Sequence, residues 1–481
     1  CGKTVYAKTL PTVLTAAIWA IFQFDDAPKK KRFINVEHHT ACTVAYGPYF
    51  QRQRVEIYHT YAKSLVERGL AYPCFCTEEE LDKVRAKQEE DKVLTGYYGE
   101  YATCRNLSYE EIEANIKAGK PYVLRLRSQG SPDKEITFVD AIKGEIKLPE
   151  NIHDIVLLKK DGIPTYHFAH AIDDHLMRTT TVVRGGEWLA SAPIHYELFH
   201  LLGFKMPAYA HTAHLMKFDE ETGGKRKLSK RKDPELSLDY YRKDGYHPYT
   251  MKVYLLTLLN SNFEEWHEKF PDKDINEFPF SVEKMNQSGA LFDKDKLHNI
   301  CKNELSKLSE EELYDFLYDW AKENEPENVE KWFGDREKML QILRLYMGVG
   351  AKRRRKDLMY AKQIFELISY FFDGESAEEM DEFKLDEDMV SKILKSYLAK
   401  YDHNDDNSAW FNKLKEIADE HGFASDMKAY KANPENFKGN VSDIAEAVRI
   451  AVTGRANTPD LWTIVHIMGE EQMTERIKKH I

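Results

Sequence analysis

Lys227-Leu228-Ser229-Lys230-Arg231 sets two ammonium groups three residues apart around a hydroxyl, an arrangement suited to gripping phosphates. Each lysine carries its charge on a flexible stem, so a loop bearing both can close over the phosphates of ATP and meet their negative charge. By itself the pattern is weak. Lys307-Leu308-Ser309-Glu310 nearly repeats it, and Lys225 to Lys232 also reads as a solvated basic loop. A second reactive set, Cys74, Cys76 and Cys104, either supplies three thiolates to a metal or is three reduced, buried thiols. The third is the basic run Lys352-Arg353-Arg354-Arg355-Lys356 with Tyr346 and Tyr360 near it. It offers cations for phosphates and rings for stacking on single-stranded bases, or else a solvated face.

A chain of 481 residues exceeds what one core usually supports and predicts several domains. The formal charge of -11 argues against a uniformly basic nucleic-acid coat, although local basic clusters still meet phosphates. Six cysteines in such a length do not read as a secreted disulfide framework and point to a reducing cytoplasm. Leu14 to Phe24 is apolar but too short to span a membrane, and reads as a buried strand or helix of a soluble chain.

Val55, Ile57, Tyr58, Tyr61, Ala62, Leu65 and Val66 recur at helical spacing, with Gly69 as a left-handed stop. Thr77 with Glu80 is a capping box that opens another helix. Tyr122 to Arg127, Ile136 to Val139 and Ile155 to Leu158 read as strands. Asp161-Gly162 reads as a hairpin turn into a further strand, Ile163 to Phe168. Beyond about residue 236 the periodicity is helical: Ser309 with Glu312 caps Leu313, Phe316, Leu317 and Trp320, followed by Met339, Ile342, Leu343 and Tyr346, then Leu367, Ile368 and Phe371. Gly374 to Asp388, acidic and poor in apolar residues, reads as a connector or an exposed loop.

Asp161 to His175, Val183-Arg184-Gly185-Gly186-Glu187-Trp188, Pro193-Ile194-His195 and Leu202-Gly203-Phe204, closed by the lysine loop, form an ordered series. It resembles the second half of the catalytic domain of glutamyl-tRNA synthetases, bacterial-type class I enzymes. The likeness extends upstream through Gly47 to Arg54 and Gly69 to Thr77. Downstream it takes in Gly245 to Pro248, Gly289 to Asp293, Thr453-Gly454-Arg455 and Thr458-Pro459, so it covers about residues 47 to 481. The resemblance implies an α/β nucleotide-binding, Rossmann-like catalytic domain with an α+β insertion, followed by an all-α anticodon-binding region. It divides the chain into an unmatched segment 1–46, the remainder of the first Rossmann half 47–72, an inserted acceptor-binding domain 73–165, the second Rossmann half 166–235, a stem-contact helical domain 236–300 and the anticodon-binding region 301–481.

The resemblance also implies activation of L-glutamate with ATP and Mg2+ and its transfer to tRNA(Glu), by a cytoplasmic monomer. Lys227, Ser229 and Lys230 then meet the ATP phosphates, Leu215 lies against the adenine, and Tyr166, His170 and Arg184 form the glutamate pocket. Arg184 grips the main-chain carboxylate. His170 stands where several members carry asparagine, and His214 departs from the usual apolar residue. Lys352, Arg353, Arg354 and Arg355 fall to tRNA. Cys74, Cys76 and Cys104 resemble the structural zinc knuckle of some members, with Tyr101 or Tyr98 as the fourth ligand and Asn106 where some have histidine.

The first 46 residues lack the family's opening strand and its histidine box. His38-His39 has no accompanying glycine, and Gly2-Lys3-Thr4 is no P-loop. That gap predicts a chain that binds tRNA but fails to adenylate glutamate, a fragment more than a redesigned enzyme. The close rival, a glutaminyl enzyme, would end in β-barrels, which the helical periods from Ser309 onward oppose.

Overall fold

A computed structural model describes residues 5–6, 47–219, 221–229, 231–287, 289–372 and 380–481. Gly2-Lys3-Thr4, Leu14 to Phe24, His38-His39, Lys230 and Gly374 to Glu379 lie outside the described residues. Two units divide the chain, Cys1–Leu236 with Leu255–Phe292 and Ser237–Tyr254 with Asp293–Ile481.

In the first unit β1 (Val5–Tyr6) precedes α1 (Val55–Glu67), β2 (Ala71–Cys74), α2 (Glu78–Glu90) and α3 (Tyr109–Lys117). Next come β3 (Val123–Leu126), the hairpin β4 (Glu135–Asp140) with β5 (Gly144–Pro149), and β6 (Val156–Leu158). α4 (Tyr166–Leu176), β7 (Thr181–Gly185), α5 (Ala192–Leu201), β8 (Ala208–Thr212), β9 (Leu215–Phe218) and β10 (Lys225–Lys227) follow, and the returning stretch adds β11 (Ala290–Leu291).

Three sheets result, in the orders β1-β7-β8-β4-β5, β10-β9-β11 and β2-β3-β6. In the first, β1, β7, β8 and β4 run parallel, and β5 closes antiparallel on β4. Residues 73–165 therefore supply much of the β2-β3-β6 sheet and also extend the parallel sheet through the β4–β5 hairpin. Helical spacing puts Tyr58, Ala62 and Leu65 of α1 on one buried face, where they pack with Phe168 and Ile172 of α4 and Leu198 and Phe199 of α5. Burying side chains of this size is worth roughly 1.5–3 kcal/mol each, which holds these three helices together. Gly69 at φ 70° ends the first helical segment as expected, and Thr77 and Glu80 form the reciprocal capping box at the start of α2.

The expected strand Ile163 to Phe168 is a correction. Only the single bridge Leu158 to Pro164 continues the hairpin, and Tyr166 opens α4. Phe168, Ala171 and Ile172 are buried at helical spacing, and this period wins over the β-branched Ile163 and Thr165. Tyr166 and His170 consequently stand one turn apart on one helix face.

The second unit is helical. It contains α6 (Leu238–Asp244), the first turns of α7 (Pro248–Leu259), α8 (Lys294–Leu305), α9 (Glu310–Asn324), α10 (Arg336–Met347) and α11 (Ala361–Ile368). Then come α12 (Glu387–Lys400), α13 (Asn407–His421), α14 (Val441–Thr453), α15 (Leu461–Met468) and α16 (Glu470–Lys478). Ser309 and Glu312 make the expected capping box, and Leu313, Leu317, Met339, Ile342, Leu343, Ile364 and Ile368 share one core. Of the connector read over Gly374 to Asp388, the described part is irregular from Met380 and becomes α12 at Glu387.

Candidate active site

The carboxyl ends of β7 and β8 bring Arg184 opposite His211, at the edge where ligands of parallel sheets are bound. Arg184 is 4% exposed. Its Nε donates to His211 Nε2 at 2.9 Å, one terminal nitrogen donates to His195 Nδ1 at 3.1 Å, and the other donates to the Trp188 carbonyl at 3.4 Å. Since a guanidinium only donates, both histidine nitrogens must accept. His195 then donates from Nε2 to His167 Nδ1, 2.9 Å away. Burial first, and the neighbouring positive groups next, lower His195 well below the usual imidazole value and His167 to about 4, so both rings are neutral at pH 7.

Tyr166 and His170 stack nearly parallel, at 6° and 5.7 Å between ring centres, and Trp188 lies 4.5 Å from the Tyr166 ring. Burial raises the Tyr166 phenol while Arg184 opposes it. His170 is buried, with Nε2 2.7 Å from the Tyr209 hydroxyl and Nδ1 2.6 Å from the Asp174 carboxylate. Both residues line an open cleft of about 500 Å³ together with Gln51, Lys159 and Asp173. The Gly47 to Arg54 motif acts from beneath. Buried Arg54 donates to Asp173 at 2.9 Å and to the Pro48 carbonyl at 2.9 Å, tying the start of α1 to α4.

Lys227 ends β10, half exposed, with Nζ 3.4 Å from His214 Nε2 and 4.0 Å from the Glu187 carboxylate. Glu187 and Trp188 are consecutive in the 3-10 turn Gly186–Ser191, so one turn touches the loop lysine on one side and the Tyr166 ring and Arg184 on the other. Leu215 is buried in β9, and its carbonyl accepts the Leu228 amide at 2.9 Å. The Ser229 amide donates to Asp233, 2.7 Å away, which also receives both terminal nitrogens of Arg226 at 2.7 Å. Arg226 holds the Asp233 carboxyl well below its usual range against the opposing effect of burial. No sequence motif singled out Asp233, yet it fixes the shape of the loop after Lys227; its signal was a lone acid in a basic run.

Cys74, Cys76 and Cys104 place their sulfurs within 4.8 Å of one another as free thiols. Cys76 and Cys104 lie 3.5 Å apart, near the ~3.8 Å edge expected of a tetrahedral zinc thiolate site. The Tyr97 hydroxyl sits 3.4 Å from Cys74 and 3.2 Å from Cys76. Tyr101 instead donates to Asp91 at 3.0 Å, and the Tyr98 hydroxyl donates to the Leu94 carbonyl at 2.6 Å. The phenol beside the thiols is therefore Tyr97 and neither Tyr101 nor Tyr98, because the turn through Gly96 and Gly99 directs Tyr97 inward.

In the second unit Lys352 to Lys356 follows α10 as an exposed, irregular stretch rather than a helix face. Arg353 and Arg355 line a cleft of about 680 Å³ with Arg344 of α10 and His466 of α15. Arg355 pairs with Asp357 at 2.6 Å, and Lys356 donates to Asn303 at 2.7 Å. Tyr346 does not face this cleft as a stacking platform. It is 3% exposed, and its hydroxyl bonds Tyr370 at 2.8 Å and the Leu367 carbonyl at 2.9 Å. Tyr360 stacks on Tyr246 with ring centres 4.7 Å apart, so one face is already covered. For Tyr346 the cause is the helical period of α10, which places its ring in the core.

A family model described as tRNA synthetases class I (E and Q), catalytic domain, matches residues 22–299, and an anticodon binding domain matches residues 312–481. The glutamate–tRNA ligase of Acetivibrio thermocellus is 53% identical over 436 residues, which is 90% of this chain and 79% of that protein. The enzyme of the same name from Clostridium perfringens is 47% identical over 442 residues, 91% of this chain and 79% of its own length. Among solved structures, a glutamate tRNA ligase from Elizabethkingia meningosepticum in complex with its amino acid is 26% identical with a TM-score of 0.66, covering 90% of this chain and 84% of that one. With a parallel sheet that carries Arg184 at its carboxyl edge, an all-helical second unit and these matches over nearly its whole described length, the chain belongs to the glutamate–tRNA ligases, class I tRNA synthetases of the E and Q group.

Proposed function

We propose that this chain ligates L-glutamate to tRNA(Glu). A glutamate carboxylate oxygen attacks the α-phosphorus of ATP, the bond to the β-phosphate oxygen breaks and pyrophosphate leaves. A hydroxyl of the tRNA 3′ end then attacks the acyl carbon and AMP departs. Arg184, which interacts with Tyr166, grips the main-chain carboxylate, and Tyr166 and His170 line the adjoining cleft. Lys227, with Ser229 and Lys230 by family position, meets the charge gathering on the phosphates, and Leu215 lies on the adenine side. Magnesium, bound with ATP, neutralises phosphate charge. The observation carrying this reading is the Gly186–Ser191 turn, which links Lys227 to Arg184 and Tyr166 through two consecutive residues.

The test is glutamylation of tRNA(Glu) by the full-length protein. Lys227→Ala should lower kcat by about 10²–10³; absence of glutamyl-tRNA with the wild-type protein would overturn the assignment. Lys352, Arg353, Arg354 and Arg355 bind the tRNA anticodon arm in this proposal. Arg353→Ala with Arg354→Ala should reduce the slope of log binding against log salt by roughly 1.4–1.8. An unchanged slope removes the basic run from the RNA surface. The all-helical second unit opposes the glutaminyl alternative, for which β-barrels were expected. The likeness to glutamate–tRNA ligases over most of the chain does not favour the inactive tRNA-binding alternative.

Cys74, Cys76, Cys104 and Tyr97 fit a tetrahedral zinc site, where the metal would have a structural task, cross-linking β2 to the Tyr97–Cys104 turn. The free thiols favour a reducing, cytoplasmic setting. Among the described residues no helix is long and apolar enough to cross a membrane. The monomeric state belongs to the same proposal and is tested by the mass of the protein in solution.

A further inference from the structure

Asp140 belongs to no motif in the sequence, yet it is a 1% exposed carboxylate at the end of β4, on the strand face that also buries Ile136 and Phe138. Its Oδ1 accepts the amides of Ile142 and Lys143, each at 2.9 Å. Its Oδ2 accepts the His211 amide at 3.0 Å and lies 2.7 Å from His211 Nδ1. Burial works against the charged carboxyl, but these donors outweigh it and hold Asp140 below its usual range.

An ionised carboxylate only accepts, so His211 must carry its proton on Nδ1. Arg184 Nε only donates, so His211 Nε2 must present a lone pair. A single state of the ring satisfies both neighbours, the neutral Nδ1–H tautomer. With His195 and the Trp188 carbonyl each taking an N–H from a terminal nitrogen and Tyr166 interacting with the same guanidinium, these contacts set its plane.

We propose that Asp140 is a positioning residue for amino-acid activation: by selecting the His211 tautomer it fixes the Arg184 guanidinium in the orientation that receives the glutamate carboxylate. This rests on the reading of Arg184 as the carboxylate-binding group. Asp140 lies in the stretch read from sequence as the insertion, and it reaches Arg184 because β4 pairs in parallel with β8 at Tyr209. An asparagine here would turn its amide N–H toward His211, move the ring proton to Nε2 and set two donors face to face at Arg184 Nε.

The experiment is steady-state glutamylation of tRNA(Glu) by the full-length protein, with glutamate and ATP varied in turn. Asp140→Asn should raise the glutamate KM at least about ten-fold while the ATP KM stays within about two-fold. His211→Gln keeps an acceptor for Arg184 without needing Asp140, so Asp140→Asn combined with His211→Gln should recover at least about three-fold of that loss. A glutamate KM for Asp140→Asn within about two-fold of wild type, or a double variant no better than Asp140→Asn, overturns the proposal. If Asp140→Asn does not fold, His211→Leu and His211→Gln carry the test. Leu should raise the glutamate KM about ten-fold and Gln less than about three-fold, and equal effects overturn it. Failure of the wild-type protein to use glutamate at all would instead sink the functional assignment itself.

Discussion

Tyr97, Tyr98 and Tyr101 crowd into five positions, and only Tyr97 turns its hydroxyl to the thiols. Composition and spacing reveal that a phenol is near the cysteines; the backbone turn decides which one. Tyr97→Phe should weaken zinc retention by about ten-fold, read as the chelator concentration that strips the metal, whereas Tyr101→Phe should leave it unchanged. Equal loss from both would place the fourth ligand elsewhere. The same limit applies to Asp140, His211 and Asp233. Each is an ordinary polar residue in sequence and takes its role from a partner on another strand or across a loop. A trace existed for Asp140: Ile136, Phe138 and Asp140 alternate, so a carboxylate occupies a buried-face position of a strand, which demands partners.

Elements were legible where one local force dominates. Capping boxes at Thr77 and Ser309 fall where the four-residue pattern put them, since the side chain and backbone that satisfy each other are neighbours in the chain. Ile163 to Phe168 reads as a strand because of the hairpin turn before it and its β-branched residues, whereas the helical period that decides Tyr166 onward lies beyond them. Gly245 is a further local signal with a distant cause. It ends α6 at φ 79°, and a Cβ there would lie 2.4 Å from the Cβ of Ala361 and 2.8 Å from Trp320 Nε1. Gly245→Ala should therefore destabilise the second unit by about 2 kcal/mol or more, through left-handed strain plus overpacking. A melting temperature within a degree or so of wild type would contradict the close approach.

At the scale of the molecule, both units bury neutral histidines. Burial lowers His167 of the first unit and His247 of the second to about 4, with Glu312 partly opposing the effect at His247. The ordinary unfolded value is ~6.5, so below it the unfolded chain takes up protons that the folded chain does not. Stability is fully present above that pH and falls as pH drops toward 4, by roughly 2–3 kcal/mol for each such ring. Denaturation midpoints should fall between pH 7 and pH 4.5, and His247→Gln should shrink the loss for the second unit; a flat profile would contradict the buried neutral state. The sequence by itself determined the family, the helical second half, the lysine loop and the cysteine cluster, because those rest on contiguous motifs and on periodicity, which are local. Tertiary structure alone decided that Asp140 stands behind Arg184, that Tyr97 faces the thiols and that Tyr346 is core. Each of these depends on which strand or helix comes to lie beside another, and a pairing between distant segments leaves no spacing in the chain from which to read it.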